Sequence, residues 1–161
     1  MKTAIFPGSF DPFTVGHFDV LKRALPLFDR IIIAVGDNQN KKTLFNSEQR
    51  KAMIAQAIRP FADTVTVLTY DTLTVELCRV YGAAFIIRGI RTVSDFDYEN
   101  SIAQANVTFA PDVQTLFFPS RPEYSFISSS IVRDVLLHGG DVSALVPEGV
   151  TILNAQLCRF S

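Results

Sequence analysis

The chain has 161 residues, of which 48% are hydrophobic and 19% are charged, and its formal net charge is −1. This length suits one ordinary domain with a substantial core, and the high apolar content argues against intrinsic disorder. The balanced charge, with no long run of one sign, excludes a basic nucleic-acid-binding arm and a membrane-surface helix.

The cysteines and the apolar runs indicate the compartment. Cys78 and Cys158 lie far apart, without the spacing of a zinc site or a disulfide framework, which fits a reducing cytoplasm. Pro7 and Gly8 interrupt the N-terminal apolar stretch, so no signal peptide is expected. The strongest apolar runs are too short to span a bilayer.

Strands and helices are predicted to alternate along the chain. Apolar residues at helical spacing predict a first helix after His17 that kinks or ends near Leu25, because Pro26 falls inside this row of apolar residues. Runs of apolar and β-branched residues predict strands at 3–6, 30–36, 64–70, 84–89 and 113–118. Further helices are predicted at 46–58, 72–82, 94–109 and 128–139, with a short helix and an extended segment in 141–161.

Local signals mark the helix ends, and the alternation predicts the fold. Asn46 or Ser47 is the predicted N-cap of the second helix, and Gln49 would complete a capping box with Asn46. Ser94 is the predicted cap of the fourth helix, and Gly82 is a predicted C-cap. The pattern predicts one doubly wound, Rossmann-like α/β domain over 1–161, with a five-stranded parallel sheet and helices on both faces. Ligands of such sheets bind beyond the carboxyl ends of the strands, where the strand order reverses.

The stretch FPGSFDPFTVGHFDVL, residues 6–21, follows the first strand and carries the features of an anion site. Gly8 lets backbone amides approach a ligand, Ser9 adds a hydroxyl, and His17 lies near the positive start of a helix. Neither GxGxxG nor GxxxxGK[ST] occurs here, so this is not a dinucleotide fingerprint or a P-loop. A capped turn with a surface histidine is the alternative.

Basic side chains follow the second and fourth strands. Lys41 and Lys42 come after the second strand, where a solvated lysine pair is the alternative. Arg88 and Arg91 flank Gly89 at the end of the fourth strand. Two guanidinium groups around a glycine suit a phosphate or a carboxylate, which they bind in a bidentate manner.

Two of the predicted helices begin with polar residues. Asp95 and Glu99 lie one turn apart, although Asp95 equally suits compensation of the helix dipole. Ser128–Ser130 open the last helix with Arg133 one turn in, whereas N-capping needs only one serine. Two helix starts, several basic groups and a histidine along one edge of a sheet predict a polyphosphate site.

Several of these motifs together resemble a known family. TVGH (14–17) and ISSSIVR (127–133) resemble the (H/T)xGH and ISSTxxR signatures of the nucleotidyltransferase superfamily. With FPGSFDPFTVGH, NKK, IIRGIRTVSDFDYE and YSFISSS, in order from residue 3 to about 149, the chain resembles the phosphopantetheine adenylyltransferase family. Ser130 stands where the superfamily often has threonine, which keeps the hydroxyl.

The resemblance implies which residues form the site. Three of them would act in catalysis: His17, Lys41 and Ser129. ATP would be bound by Ser9, Phe10 through its amide, His17, Gly89, Ile90, Arg91, Glu99, Tyr124, Ser125, Phe126, Ile127, Ser128, Ser129 and Ser130, with core packing as the alternative for Phe126. Phosphopantetheine would be bound by Ser9, Lys41, Thr74 and Arg88.

The implied reaction is adenylyl transfer from ATP to 4′-phosphopantetheine, which gives dephospho-CoA and pyrophosphate by in-line attack of the acceptor phosphate on the α-phosphate. The acceptor is already an anion, so no general base is required, and Mg²⁺ is implied to ride on the ATP phosphates. The resemblance also implies a homohexamer built from two trimers, with coenzyme A as a feedback inhibitor. The composition indicates neither a nucleic-acid nor a membrane partner.

Two alternatives remain open. TVGH and ISSSIVR alone also fit a nucleotidyltransferase with another acceptor, such as nicotinate mononucleotide or glycerol phosphate, although RGIR and DFDYE favour phosphopantetheine. The other alternative is a nucleotide-binding regulatory module without turnover. The presence of His17, Lys41, Arg88 and Ser129 argues against it.

Overall fold

The computed structural model, which describes residues 1–38 and 42–152, contains a sheet of five parallel strands. The strands are β1 (Thr3–Gly8), β2 (Arg30–Gly36), β3 (Val65–Tyr70), β4 (Phe85–Ile90) and β5 (Gln114–Pro119). Their order in the sheet is β3-β2-β1-β4-β5. The chain winds outward from β1 to β3 and then crosses back to β4, so the strand order reverses between β1 and β4.

Helices cover both faces of this sheet, which confirms the predicted α/β fold. They are α1 (Val15–Ala24), α2 (Ser47–Ala57), α3 (Thr74–Tyr81), α4 (Val93–Phe109) and α5 (Ser129–Leu137), with single 3-10 turns at Leu25–Leu27, Arg59–Phe61 and Pro122–Tyr124. Within the described residues no helix is long and apolar enough to cross a membrane.

Alternate residues of the central strands enter two different cores, as the two-residue period of a strand requires. Phe6 and Ile33 pack with α1 and α2 on one face, whereas Ile5 and Ile32 pack with α3 on the other. Because both faces are covered, β1 and β2 have continuous apolar sequences. A third cluster packs α5 against α2 through Phe45, Met53, Val132, Leu136, Val142 and Val146.

Three of the predicted helix ends are confirmed. α1 ends at Ala24, where Pro26 enters the following 3-10 turn. The Asn46 side chain accepts the Gln49 N–H at 2.9 Å, and the Gln49 side chain accepts the Asn46 N–H at 2.9 Å, which completes the capping box. Gly82 closes α3 in the left-handed conformation, with φ of 60°.

One prediction about a helix cap is wrong, and another about a helix position is tested only in part. Thr92, not Ser94, caps α4, because the helix begins at Val93 and the Thr92 hydroxyl accepts the Asp95 N–H at 3.1 Å. A short helix was expected within 141–161, and residues 141–152 form turns and irregular backbone without a helix. The remainder of that segment, 153–161, lies outside the described residues.

Candidate active site

Two cavities meet at the carboxyl ends of β1 and β4, where the strand order reverses. The larger, of about 640 Å³, extends towards β2, β3 and one side of α4. The smaller, of about 300 Å³, lies between the starts of α1 and α5. Both are lined by Pro7, Gly8, Ser9, Arg88 and Glu99. Two adjoining chambers with a shared wall suit a reaction that moves a group between two bound ligands.

The smaller cavity brings together most of the predicted ATP-binding residues. Ser125 and Phe126 are absent from its lining, and Phe126 is 62% exposed, so the alternative of core packing for Phe126 is wrong. The predicted residues in the lining are Ser9, Phe10, His17, Gly89, Ile90, Arg91, Glu99, Tyr124, Ile127, Ser128, Ser129 and Ser130.

The His17 ring is held in one tautomer by the start of α1. Thr14 is the N-cap, and its backbone N–H donates to His17 Nδ1 at 3.0 Å, while its hydroxyl oxygen lies 3.0 Å from the same nitrogen. Here a histidine completes the capping box in which glutamate or glutamine is usual. Because Nδ1 accepts the Thr14 N–H, the hydrogen of the neutral ring is on Nε2, which is therefore a donor.

Burial and neighbouring charges keep His17 neutral. Its ring stacks on Phe13, with centroids 5.5 Å apart, and meets the edge of Phe10 at 5.1 Å. This burial, followed by the positive charges of Arg91 and Arg88, lowers the pKa of His17 from 6.5 to about 3. At neutral pH the residue is thus a hydrogen-bond donor without a charge.

The three serine hydroxyls at the start of α5 differ in what they offer a ligand. Ser128 Oγ accepts a first-turn N–H at 3.2 Å, and Ser130 Oγ accepts from Arg133 at 3.1 Å. Both bonds use an oxygen lone pair and leave the hydroxyl hydrogen available. The Ser129 hydroxyl instead donates to the Pro12 carbonyl at 2.9 Å. Ser128 and Ser130 are therefore the side chains best placed to donate to an anion.

Arg88 stands in the wall between the two cavities and is fixed by neighbouring oxygens. Its Nη1 donates to the Pro7 carbonyl at 2.6 Å and its Nε donates to Glu99 at 2.7 Å. Nη2 donates to the second oxygen of Glu99, which makes the pair bidentate. Glu99 thus orients Arg88 in the structure.

Asp95 and Arg133, whose roles the sequence left open, both hold other parts of the site. Asp95 accepts the backbone N–H and Nε of Arg91, each at 3.2 Å. Arg133 Nη1 donates at 2.7 Å to the carbonyl of Asp11, 122 residues away in the sequence. Arg133 thereby ties the start of α5 to the loop after β1.

The larger cavity contains Thr74, as predicted, together with residues that the sequence analysis missed. The hydroxyls of Thr74 and Tyr70 lie 3.1 Å apart. Tyr98, Ile102 and Asn106 line the cavity from α4. These three residues are spaced by four, so they lie on one face of α4, next to Glu99. This spacing is the sequence signal by which they could have been predicted to face the ligand.

Two further points concern Lys41 and metal binding. Lys41, predicted to act in catalysis and to bind phosphopantetheine, lies outside the described residues. Across residues 1–38 and 42–152 there is no group of three or more His, Cys, Asp or Glu side chains arranged to hold a metal ion.

Comparison with known sequences relates the chain to one family. A family model described as cytidylyltransferase-like matches residues 5–135. A phosphopantetheine adenylyltransferase of Flavobacterium psychrophilum is 49% identical over 152 residues, which cover 94% of this chain and 99% of the relative. A relative of the same name from Frankia alni is 48% identical over 153 residues, which cover 93% of this chain and 94% of the relative.

Solved structures share the fold at lower sequence identity. A Vibrio parahaemolyticus protein, assigned in its name to the nicotinate-nucleotide adenylyltransferases, gives a TM-score of 0.71 at 20% identity, over 100% of this chain and 98% of its own. A bifunctional NMN adenylyltransferase/ADP-ribose pyrophosphatase of Francisella tularensis, solved with AMP and a Mn ion, gives 0.68 at 21% identity, over 90% of this chain and 44% of its own.

The likeness to solved structures supports the fold, whereas the sequence relatives carry the assignment to a family. The family model spans most of the chain, and relatives close to half identical align along nearly its whole length. The chain therefore belongs to the cytidylyltransferase-like family and, within it, to the phosphopantetheine adenylyltransferases.

Proposed function

We propose that this chain, as a single nucleotidyltransferase domain, transfers the adenylyl group of ATP to 4′-phosphopantetheine and releases dephospho-CoA and pyrophosphate. The observation that carries the proposal is the pair of adjoining cavities with Ser9, Arg88 and Glu99 in their common wall. ATP occupies the smaller cavity, with its phosphates between the two helix starts. The acceptor occupies the larger cavity. The names of the relatives supply the identity of the acceptor.

In this mechanism an oxygen of the acceptor phosphate attacks the α-phosphorus of ATP in line. The bond from the α-phosphorus to the oxygen that bridges to the β-phosphate breaks, and pyrophosphate leaves with that electron pair. No proton has to be removed from an anionic acceptor, which agrees with the low pKa of His17. His17 Nε2–H donates to the α-phosphate as negative charge builds there, and losing one such donor typically lowers kcat by about 10²–10³.

The other residues divide between the two substrates. Ser128, Ser129 and Ser130 receive ATP phosphates through side-chain and backbone donors at the start of α5. Tyr124–Ile127 and Gly89–Arg91 bind the rest of the nucleotide. Thr74 and Arg88 hold phosphopantetheine, and Ser9 contacts both substrates. Lys41 binds the acceptor phosphate and the transferring α-phosphate, a role that rests on its NKK motif alone.

Mg²⁺ fits this site as an ion that arrives on the nucleotide. Two carboxylates beside the smaller cavity already have partners, because Glu99 pairs with Arg88 and Asp95 pairs with Arg91. The Ser128 hydroxyl oxygen, together with water and phosphate oxygens, would hold the ion, because Mg²⁺ prefers oxygen ligands. When bound, the ion would supply neutralisation of phosphate charge.

Three further properties belong to the same proposal: a homohexamer of two trimers, feedback inhibition by coenzyme A, and a cytoplasmic location. Val93, Val107 and Phe109 expose apolar surface on α4, which suits contact between subunits. Coenzyme A contains the same pantetheine arm as the acceptor, so it would compete for the larger cavity. Light scattering tests the assembly, because six chains of 17.9 kDa give a mass far above that of a monomer or trimer.

The test is pyrophosphate release from ATP and Mg²⁺, with phosphopantetheine in one reaction and nicotinate mononucleotide in another. Release with phosphopantetheine alone, and dephospho-CoA identified by mass spectrometry, is the expected result. Release with nicotinate mononucleotide but not with phosphopantetheine would refute phosphopantetheine as the acceptor. ATP binding without release in either reaction would favour a regulatory module. His17→Ala serves as the control, because it should retain the fold and lose most turnover.

A further inference from the structure

Arg50 is a buried cation that the sequence analysis did not single out. It lies on α2 and is 2% exposed. Its Nη1 donates to the carbonyls of Ser9 at 2.6 Å and Gly36 at 2.9 Å, and its Nε donates to the carbonyl of Phe45 at 3.0 Å. We call Arg50 and these three carbonyls the Arg50 clamp.

The clamp joins the three segments that surround the phosphate region. Ser9 follows β1 and lines both cavities, Gly36 ends β2 and lines the larger one, and Phe45 precedes α2. The Asp11 carboxylate strengthens the same junction by accepting the N–H groups of Leu44 and Phe45, at 2.8 and 2.9 Å. One side chain of α2 thus fixes the loop after β1 from behind.

The bond to the Ser9 carbonyl determines where the next N–H points. The Ser9–Phe10 peptide is trans, and in a trans peptide the C=O and N–H groups point in opposite directions. With the carbonyl held by Arg50, the Phe10 N–H points away from α2. Ser9 and Phe10 both line the smaller cavity. In the described part of the chain no group accepts a hydrogen bond from the Phe10 N–H, which leaves it available to a ligand.

The conformation of Phe10 needs such a support. Its φ is +49°, in the left-handed region that bulky residues avoid at a cost of about 1–2 kcal/mol. The ring is 3% exposed and is fixed between Phe6 and Phe13, at centroid distances of 5.4 and 5.3 Å. Packing therefore holds the side chain, while the Arg50 clamp holds the peptide plane.

We propose that Arg50 is a positioning residue for the nucleotide: it turns the Ser9–Phe10 peptide so that the Phe10 N–H donates to a phosphate of ATP. The inference rests on the proposed function and adds to it the residue that orients this donor. Arg50 does not touch the ATP or the reacting atoms, because it is 2% exposed and lines neither cavity.

The charge of Arg50 supports the same role. Burial lowers the pKa of Arg50, and the nearby carboxylates of Asp11 and Asp37 oppose that shift. A guanidinium remains protonated at neutral pH, so the clamp keeps a positive charge behind the loop that receives phosphate. Lysine at this position would keep the charge but would lose the planar fork that reaches three acceptors.

The test compares Arg50→Lys with Arg79→Lys. Arg79 is a matched control, because its Nη2 also donates to a backbone carbonyl, that of Phe109 at 2.6 Å, but Phe109, unlike Ser9, lines neither cavity. In Arg50→Lys we expect both ATP affinity, measured by calorimetry with Mg²⁺, and kcat/KM for ATP to fall by about 10²-fold, the loss that a misplacement of about 1 Å can cause. In Arg79→Lys both should stay within about two-fold, as for a surface change.

An NMR signal separates positioning from a purely structural role. The sequence has two Ser–Phe steps, Ser9–Phe10 and Ser125–Phe126, so labelling with carbonyl-¹³C serine and ¹⁵N phenylalanine leaves two amide signals, which Phe126→Leu assigns. ATP should shift the Phe10 signal of the wild-type protein, and Arg50→Lys should lose this shift while its circular dichroism stays native. Arg50→Gln is the second variant should lysine prevent folding, because its amide nitrogen reaches only as far as Nε of arginine and therefore loses the bond that Nη1 makes to the Ser9 carbonyl.

The possible results are distinct. A folded Arg50 variant with wild-type ATP affinity and the wild-type Phe10 shift overturns the inference, even if its melting temperature is lower. Absence of an ATP-induced Phe10 shift in the wild-type protein overturns it without any variant. A wild-type protein that binds ATP with the Phe10 shift but makes no dephospho-CoA refutes the proposed function and leaves the inference in place.

Discussion

Alanine at Gly16 is expected to stabilise the fold and to weaken ATP binding. Gly16 is the second residue of α1 and lines the smaller cavity. A Cβ at this position would lie 3.6 Å from Thr14 Oγ1 and 3.9 Å from Tyr124 Cβ, which are ordinary van der Waals distances. The protein itself therefore has room for the methyl group. The methyl group reduces ligand affinity only because it occupies space that a ligand at the start of α1 would use.

The two effects have opposite signs and separate magnitudes. Replacing glycine by alanine where the backbone tolerates it raises the free energy of unfolding by about 0.4–1 kcal/mol. A nucleotide that rests against the start of α1 has to move by roughly the size of a methyl group, and a shift of about 1 Å at a reacting group costs about 10²-fold in rate. We expect ATP affinity to fall at least about tenfold, which is about 1.4 kcal/mol, and kcat/KM for ATP to fall further.

Gly8→Ala is the matched control, because there the protein itself lacks room. A Cβ at Gly8 would lie 2.8 Å from Cζ of Phe10, whose ring is buried. Overpacking of this kind lowers the free energy of unfolding by about 1–3 kcal/mol. Urea unfolding and calorimetric ATP titration of both variants provide the measurements. Wild-type ATP affinity in Gly16→Ala would refute our location of the nucleotide, and a loss of stability in that variant would refute our reading of the free space.

The remaining predictions concern Arg88, the α5 serines and pH. Arg88→Lys loses the bidentate pair with Glu99 and should raise KM for phosphopantetheine about tenfold, while KM for ATP changes less than about threefold. The reverse pattern would mean that Arg88 serves ATP and that our assignment of the two substrates to the two cavities is wrong. Ser129→Ala should lower the free energy of unfolding by about 1 kcal/mol through the lost bond to Pro12, whereas Ser130→Ala should mainly lower kcat/KM for ATP; equal kinetic losses would contradict the division of donors. Because the pKa of His17 falls from 6.5 to about 3 on folding, the unfolded chain binds the proton first as pH falls. Between pH 6.5 and 5 the free energy of unfolding of the wild-type protein should therefore drop by up to about 2 kcal/mol more than that of His17→Asn. Urea unfolding of both proteins at several pH values measures this difference, and the same pH dependence in both would contradict the lowered pKa of His17.

The sheet was predictable because its sequence signals are local. β2 is buried on both faces, and its continuous apolar run at 31–35 has the length of a strand and is too short for a buried helix. Pro26 and Gly82 act on the backbone of their own helices, so the ends they predict are confirmed. The N-cap of α4 was mispredicted as Ser94 because Thr92, two residues earlier, also bears a hydroxyl that can cap a helix. The sequence does not indicate which of the two residues has the extended backbone of an N-cap.

The site was predictable where residues directly follow strands. The carboxyl ends of β1 and β4 are adjacent in any sheet of this order, so Ser9, His17 and Arg88 had to meet. Arg50 could not be found this way, because it lies inside α2 and reaches across to two strand ends. The bond between Arg133 and the Asp11 carbonyl likewise joins residues 122 positions apart, for which a single sequence carries no signal.

The state of His17 links the architecture of the site to the class of acceptor. A general base works best with a pKa near the working pH, and an acceptor hydroxyl would need one. His17 has a pKa of about 3, and its Nδ1 already accepts the Thr14 N–H. It is therefore suited to donate one hydrogen bond and not to take a proton. A histidine in this state suits an acceptor that is already ionised, and a phosphate monoester meets that condition.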